Sequence, residues 1–207
     1  MTTTTLEILF IALAIYLSHL ITLRPELTRA RGGKIVAFLA LFVLPAAASW
    51  TGFSEQMERS KQTQFCLSCH IMSDYGRSLY RDDLSYLPTA HFQNNRVPRE
   101  AVCYTCHTTY TLYGPLRSKL EGLEHLYVQY LGTPPKPAEI QLYTPYNNRE
   151  CLHCHDGSRS FEEASGHSDP DVLQQIKSNE VSCLVCHDQV HDVGSLADAT
   201  LWKEPQP

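Results

Sequence analysis

The sequence predicts a mainly α-helical protein with much irregular loop, in which a membrane-spanning helical hairpin precedes a second domain. Three observations predict this class. Residues 1–53 contain two long apolar runs and only six charged residues. Residues 54–207 hold all eight cysteines of the chain. Leu, Ile, Val and Phe make up only 30 of these 154 residues, about 19%, a level at which a chain no longer buries a stable core of its own side chains.

The first apolar run covers residues 6–23 and the second covers residues 35–53. Each is close to the roughly 20 residues that a helix needs to cross a bilayer. We therefore predict a membrane anchor over residues 1–53 and a separate domain over residues 54–207. Two alternatives stay open. Ala46 to Ala48 resemble a signal-peptide cleavage site, and the first run also suits an interfacial helix followed by a single span.

The charges of the chain predict its orientation and exclude one class of partner. All four basic residues of the first 53 lie between the two apolar runs: Arg24, Arg29, Arg31 and Lys34. The positive-inside rule places this short loop in the cytoplasm, so the N-terminus and the second domain lie on the periplasmic side of a bacterial inner (cytoplasmic) membrane. Residues 54–207 carry 13 basic and 20 acidic residues, a net charge of −7, which argues against binding to nucleic acid.

Four CxxCH motifs account for all eight cysteines. They are Cys66, Cys69 and His70; Cys103, Cys106 and His107; Cys151, Cys154 and His155; and Cys183, Cys186 and His187. Paired cysteines alone also occur in zinc sites, redox dithiols and disulfides. However, only ten of the 207 residues are histidine, so chance does not explain a histidine after every pair.

CxxCH is the attachment signal of c-type haem. Two thiols bind the vinyl groups of the haem, and the adjacent histidine is held under the iron as an axial ligand. We therefore predict four covalently bound haem c groups in residues 54–207, which make this part a multihaem cytochrome c domain. The porphyrins then supply the apolar core that the side chains lack.

Each haem iron has a second axial position, for which histidines outside the motifs are candidates. His153 lies between the cysteines of its own motif and cannot reach the opposite face of that haem, so we interpret it as structural. His191 follows His187 by four residues, so it serves another haem or none. The distal candidates are then His91, His125, His167 and His191. At the first haem, Met72 is an additional candidate, because a thioether also ligates haem iron.

The surroundings of His125 make it the most informative of these histidines. Residues 115–131 are predicted as a helix, because Pro115 stands at its first position and Gly132 follows its end. Its apolar face contains Leu116, Leu120, Leu123, Tyr127, Tyr130 and Leu131. His125 points nearly opposite this face, beside the small residues Ser118 and Gly122, which leave room for a haem to approach.

The stretch from Phe65 to Met72, a CxxCHxM sequence, resembles the first haem site of the NapC/NirT/NrfH family of membrane-anchored tetrahaem cytochromes. The likeness continues through Ala90 to Phe92, Cys103 to His107, Lys119 to Gly132 and Cys183 to His191, and so covers residues from about 60 to 195.

The resemblance implies an anchored protein that collects electrons from quinol at its first haem and passes them to a periplasmic reductase or another multihaem protein. It further implies that Met72 rather than His70 ligates the first iron, and that His91, His167 and His191 are distal ligands. Two features depart from the family pattern. Members usually have one anchoring helix, and NrfH-type members have an aspartate at the position of His125, beside an open first haem.

The leading hypothesis is therefore a quinol dehydrogenase, an electron-transfer protein whose first haem lies nearest the membrane. Candidates for the acid or base of its quinol site are Asp74, Asp82, Lys119 and Glu121. The alternative is an electron-transfer subunit of a larger membrane complex that receives electrons from a protein and never meets quinol. Its extra helix docks other membrane subunits through the small residues Ala46 to Ser49. His125 favours this alternative, because as a ligand it would occupy the free coordination position of the first haem iron. A structural zinc protein is a third hypothesis.

Overall fold

The computed structural model describes residues 2–203, and the chain divides into two compact units that meet between Lys61 and Gln62. The first unit is a helical hairpin. Helix α1 spans Thr3–Leu23, a 3₁₀ turn follows at Pro25–Arg29, and the chain returns through α2 (Arg31–Phe38), a π-helical turn (Leu39–Val43) and α3 (Leu44–Arg59). Both arms are long and apolar enough to cross a membrane. The returning helix continues six residues beyond Phe53.

Small side chains pack the two arms of the hairpin together. Ala14 on α1 and Ala40 and Ala48 on the returning arm are buried, and α1 lies along α3. Ala46 and Ser49 are exposed. Small residues let helix backbones approach closely in a membrane, where packing rather than the hydrophobic effect drives association. Ala48, which we considered as part of a docking surface, therefore packs within the hairpin.

The π-helical turn in the returning arm has a local cause. Proline has no backbone N–H, so Pro45 cannot donate the hydrogen bond that an α-helix requires at that position. The turn Leu39–Val43 lies directly before it, and wider π-type turns commonly absorb such an interruption.

The second unit consists of short helices joined by long irregular segments. They are α4 (Thr63–Leu67), α5 (Ser73–Ser78), α6 (Leu87–Gln93), α7 (Val102–Cys106), α8 (Gly114–Leu131), α9 (Arg149–His155), α10 (Arg159–Glu162) and α11 (Pro170–Lys177). Within residues 2–203 the β-pairing is a single bridge between Arg81 and Leu201. The predicted mainly helical fold with much loop is confirmed, and α8 begins one residue before its predicted start.

The apolar core of the second unit is small. Leu79, Phe92 and Val102 are buried together, with Tyr80 and Val97 packed against them. This cluster contains few buried apolar side chains for a unit of this length, which agrees with the low apolar content of its sequence.

The C-terminal segment is tied back to this core by polar contacts. The largely buried Arg81 guanidinium donates hydrogen bonds to the Asp192 carbonyl (2.8 Å) and the Ser195 hydroxyl (2.9 Å). The Trp202 amide donates to the Tyr80 carbonyl (2.7 Å). These contacts fix the backbone on the C-terminal side of His191.

The loop of the hairpin closes tightly on Gly33. A Cβ atom at this position would lie 1.6 Å from the Leu27 carbonyl oxygen, whereas one at the neighbouring Gly32 would meet nothing within 4 Å. We expect Gly33→Ala to force the loop open and to speed its cleavage by trypsin about tenfold in the detergent-purified protein. Overpacking of this kind costs roughly 1–3 kcal/mol, which raises the population of the open loop. Gly32→Ala is the control, and equal cleavage rates for the two variants would contradict the close approach.

Candidate haem-binding site

Short helical turns bring the two thiols of each motif to one side. Cys103 and Cys106 lie in α7, and Cys151 and Cys154 lie in α9. Cys66 lies in α4 and Cys183 begins a 3₁₀ turn. In the first and fourth motifs the second cysteine therefore lies just beyond the end of the helical segment. No two of the eight cysteines form a disulfide. Residues three apart in a helix share a face, which lets both thiols of a motif reach one edge of a haem.

Cysteines of successive motifs lie next to one another. The Cys103 thiol donates a hydrogen bond to Cys66, which lowers the pKa of Cys66 to about 7. In the same way the Cys151 thiol donates to Cys183 and lowers its pKa to about 7. Cys106 and Cys154 are close enough for their charges to interact, which adds to the effect of burial in raising the pKa of Cys106. The motifs thus meet in the order first, second, third, fourth.

Two polar side chains join the motifs in pairs. The Thr63 hydroxyl donates to the Arg99 carbonyl (2.9 Å) and accepts from the Val102 amide (2.9 Å), so it holds the backbone just before Cys103.

Asn148 joins the third and fourth motifs in the corresponding way. Its Nδ2 donates to the carbonyls of Ile176 (2.8 Å) and Val181 (2.6 Å), and its Oδ1 accepts from the Cys183 amide (2.9 Å). Asn148 is fully buried. Thr63 and Asn148 each stand three residues before a first cysteine. Sequence reasoning missed both, and this shared position is the signal that could have found them.

Three of the four motif histidines face a second histidine. The ring centroids are 6.3 Å apart for His107 and His191, 5.9 Å for His155 and His91, and 6.1 Å for His187 and His167. A metal ion between two imidazoles, with metal–nitrogen bonds of about 2 Å, separates the ring centroids by roughly 6 Å. The spacing of all three pairs therefore fits an iron held between two axial histidines.

The distal member of each pair has its other ring nitrogen fixed by a hydrogen bond. Nδ1 of His91 donates to the Leu87 carbonyl (2.7 Å), and Nδ1 of His167 donates to the Phe161 carbonyl (2.9 Å). Because a carbonyl only accepts hydrogen bonds, Nδ1 carries the proton and Nε2 keeps its lone pair. Such bonds are the usual means of orienting a metal-binding histidine.

His191 is oriented in a similar way by a hydroxyl. Its Nδ1 lies 2.8 Å from the Ser78 oxygen, and the Ser78 hydroxyl itself donates to the Tyr75 carbonyl (2.7 Å). The Ser78 oxygen therefore accepts from Nδ1. Burial, with a contribution from His107, lowers the pKa of His191 to about 4. Burial likewise lowers the pKa of His107. Both rings are thus held neutral, the form that binds a metal ion.

This donor set differs from that of a zinc site. Structural zinc is bound by four Cys or His ligands at the corners of a tetrahedron. Nowhere in residues 2–203 do three or more His, Cys, Asp or Glu side chains converge to hold one ion. Histidines in opposed pairs beside paired thiols fit c-type haems with two histidine ligands.

The first motif is arranged differently from the other three. His70 opens a 3₁₀ turn that ends at Met72, and its side chain is exposed. The ring contacts found within the described residues do not pair His70 with another histidine. His125 lies against Tyr143, at 5.2 Å between ring centroids, and is close enough to His107 to lower the pKa of that residue. The structure therefore places His125 beside the second motif.

The four candidates for the quinol site are scattered over the second unit. Lys119 lies 4.7 Å above the ring of Tyr104, and its charge contributes to the lowered pKa of Cys66. Asp74 faces Arg77 (3.8 Å), and Glu121 is paired with Arg117 (2.8 Å).

Asp82 is held at the C-terminal segment, where its amide donates to the Thr200 carbonyl (2.8 Å). Lys119 is thus the candidate that the structure brings to the first attachment cysteine.

His153, interpreted as structural, stacks on Tyr110 with ring centroids 3.7 Å apart.

Comparison with known proteins identifies the family of the chain. A family model described as "NapC/NirT cytochrome c family, N-terminal region" matches residues 29–195. Cytochrome c-type protein NapC of Escherichia coli (strain K12) is 25% identical over 150 residues, which cover 67% of this chain and 72% of that protein. Denitrification system component NirT of Stutzerimonas stutzeri is 21% identical over 176 residues, covering 79% and 82%.

Cytochrome c-type protein TorC of Escherichia coli (strain K12) is 28% identical over 169 residues, which cover 74% of this chain and 38% of that longer protein. No solved structure matches. The resemblance seen in the motifs is thus confirmed over most of the sequence. The chain belongs to the NapC/NirT cytochrome c family and is a membrane-anchored electron-transfer protein with covalently bound haem c.

Proposed function

We propose that this protein holds four haems c and carries electrons from quinol in the membrane to a periplasmic redox partner. The observation that carries the proposal is the contrast between the motifs. Three of them face a second histidine at about 6 Å, and the first does not. A first iron without a second histidine leaves a position where quinol can react.

The residues of the site divide into attachment groups and axial ligands. Each pair of cysteines binds one haem, and each haem, when bound, exchanges one electron with its neighbours. His107 and His191 ligate the second iron, His155 and His91 the third, and His187 and His167 the fourth. Met72 or His70 ligates the first. Contacts between cysteines of successive motifs support an arrangement of the four attachment sites in series.

Quinol oxidation releases two protons, so the site needs groups that bind the quinol oxygens and accept those protons. Lys119, near Cys66, is suited to donate a hydrogen bond to a quinol oxygen. Asp74 follows Met72 by two residues and is partly exposed, so it is suited to accept a proton and pass it to the solvent. Both assignments rest on the first motif being the quinol site.

The alternative, a subunit fed by a protein partner, depended on His125 closing the first iron. The position of His125 beside Tyr143 and the second motif does not support such a closure. The quinol hypothesis is therefore preferred, and the alternative becomes an outcome of its test.

The axial assignments predict three separate spectroscopic changes. We expect His91→Ala, His167→Ala and His191→Ala each to convert one haem from low spin to high spin, because each change removes one strong axial ligand. Electron paramagnetic resonance of the oxidised full-length protein measures this conversion. His153→Ala is the matched control and should leave all signals unchanged. If the spectrum of one of these variants were unchanged, the substituted histidine would not be an axial ligand.

The quinol hypothesis predicts reduction of the haems in the full-length protein by a quinol analogue. Lys119→Gln should slow this reduction about tenfold or more, because a hydrogen bond to a charged group contributes roughly 1.5–3 kcal/mol. Lys136→Gln, at the exposed lysine that precedes the 3₁₀ turn Pro137–Glu139, is the control. Dithionite should reduce the wild type and both lysine variants alike. Haems that dithionite reduces and quinol does not would favour the protein-fed subunit.

A separate variant tests the role of His125. His125→Ala should leave the number of low-spin haems unchanged.

The proposed orientation is tested by labelling single introduced thiols, since the native cysteines are taken up by the haems. Thr28→Cys lies in the basic loop, and Gln56→Cys lies at the other end of the hairpin on an exposed position of α3. A membrane-impermeant maleimide should label Thr28→Cys in inside-out vesicles only and Gln56→Cys in spheroplasts only. The reverse pattern would place the haem unit in the cytoplasm.

A further inference from the structure

The three distal histidines differ in the group that accepts the hydrogen bond from Nδ1. His91 and His167 donate to backbone carbonyls, which a side-chain substitution does not remove. Nδ1 of His191 instead lies 2.8 Å from the hydroxyl oxygen of Ser78, a side chain 113 residues away in the sequence. The acceptor beside the second motif is therefore a group that one substitution deletes.

The Ser78 hydroxyl is fixed as an acceptor. Ser78 is the last residue of α5 and is buried. Its single proton is used in the hydrogen bond to the Tyr75 carbonyl (2.7 Å), so its lone pairs are left for His191. The hydrogen bond that the hydroxyl donates also polarises its oxygen and strengthens the one that it accepts. The Ser78 carbonyl in turn accepts from the hydroxyl of the buried Thr89 (3.0 Å), which holds this residue in place.

The backbone around His191 is held by other contacts. On its N-terminal side the Gln189 carbonyl accepts a hydrogen bond from the Leu87 amide (2.9 Å). On its C-terminal side the Asp192 carbonyl accepts one from the Arg81 guanidinium (2.8 Å). The loss of one hydroxyl should therefore leave this segment, and the imidazole that it carries, in place.

Tyr75 limits the rotation of the same imidazole without the help of the Ser78 hydroxyl. The ring of Tyr75 meets that of His191 edge-on, with ring centroids 5.3 Å apart. The Tyr75 hydroxyl donates to the Pro137 carbonyl (2.7 Å), which fixes the tyrosine itself. The contribution that remains for Ser78 is to the electron density of the His191 ring.

A hydrogen bond donated by Nδ1 changes how strongly an imidazole binds iron. The acceptor draws on the Nδ1 proton and makes Nε2 more basic. A more basic ligand stabilises oxidised iron more than reduced iron, which lowers the reduction potential of the haem. His91 and His167 gain this effect from carbonyls, and His191 gains it from Ser78.

This effect bears on the transfer of electrons along the haems. In the proposed series the second haem receives an electron from the first and passes it to the third. Without an acceptor at Nδ1 of His191, the potential of the second haem would rise above that of the third, and the electron would stay on the second haem. An acceptor at all three distal histidines keeps the potentials of their haems closer together.

We propose that Ser78 is a positioning residue that acts through Nδ1 of His191 to lower the reduction potential of the second haem, so that the electron passes on to the third. The inference rests on the proposed ligation of the second iron by His107 and His191. It does not depend on which molecule donates the electrons.

A redox titration of the full-length, haem-loaded protein, followed by electron paramagnetic resonance, tests the proposal. In Ser78→Ala the equilibrium constant for reduction of one haem should rise about tenfold, which is about 59 mV for one electron, because hydrogen-bond partners of metal ligands commonly contribute a factor of this size. That haem should stay low spin. It should be the haem whose low-spin signal is lost in His191→Ala.

Two further variants separate the hydrogen bond from a change in packing. Ser78→Thr keeps the hydroxyl and should keep the wild-type potential. Ser178→Ala is the matched control, because Ser178 follows α11, is exposed, and donates in the same way to the carbonyl three residues earlier, that of Gln175 (3.1 Å). It should leave every haem potential unchanged.

Four results would overturn the proposal. They are an unchanged potential in Ser78→Ala, an equal rise in Ser78→Ala and Ser78→Thr, a similar rise at several haems, and a second haem that becomes high spin in Ser78→Ala. In the last case the hydroxyl would hold the ligand on the iron rather than adjust its strength. If His191→Ala left every low-spin signal in place, the proposed ligation itself would be wrong, and the inference would fall with it.

Discussion

The second unit of this protein depends on the pairing of three motif histidines with histidines from other parts of the chain. A CxxCH motif supplies one ligand, and nothing within the motif can reach the opposite face. His91 pairs with His155 and His191 pairs with His107. Each pairing closes a loop of more than sixty residues, so together they tie the beginning and the end of the unit to its middle.

The rest of the second unit supports these pairings with polar contacts, because it has few apolar side chains to use. The buried cluster around Leu79, Phe92 and Val102 is small. Thr63 and Asn148 fix the backbone beside the attachment cysteines, and Arg81 fixes the segment that follows His191. Asn148 and Arg81 are buried, and a buried polar side chain is costly unless it makes hydrogen bonds. They hold a geometry that would otherwise need a larger hydrophobic core.

The two units accommodate their apolar side chains in different surroundings, lipid around the hairpin and water around the second unit. In the hairpin, apolar side chains can face lipid, so the helices need only close contact with each other, which Ala14, Ala40 and Ala48 provide. In the second unit, polar contacts carry much of this task. Helix α8 shows this, since Ser118 and His125 hold it to the segments around Thr109 and Tyr143.

The sequence by itself determined the chemistry and the local structure. The four CxxCH motifs identified covalent haem, the apolar runs identified the hairpin, and Pro115 and Gly132 bounded α8 to within one residue, because each of these signals lies within a short stretch of chain. Only the tertiary structure decided which histidine meets which motif, that His125 lies beside the second motif, and that the apolar face of α8 points outward. These features depend on contacts between residues far apart in the sequence, and the spacing of neighbouring residues does not reveal such contacts.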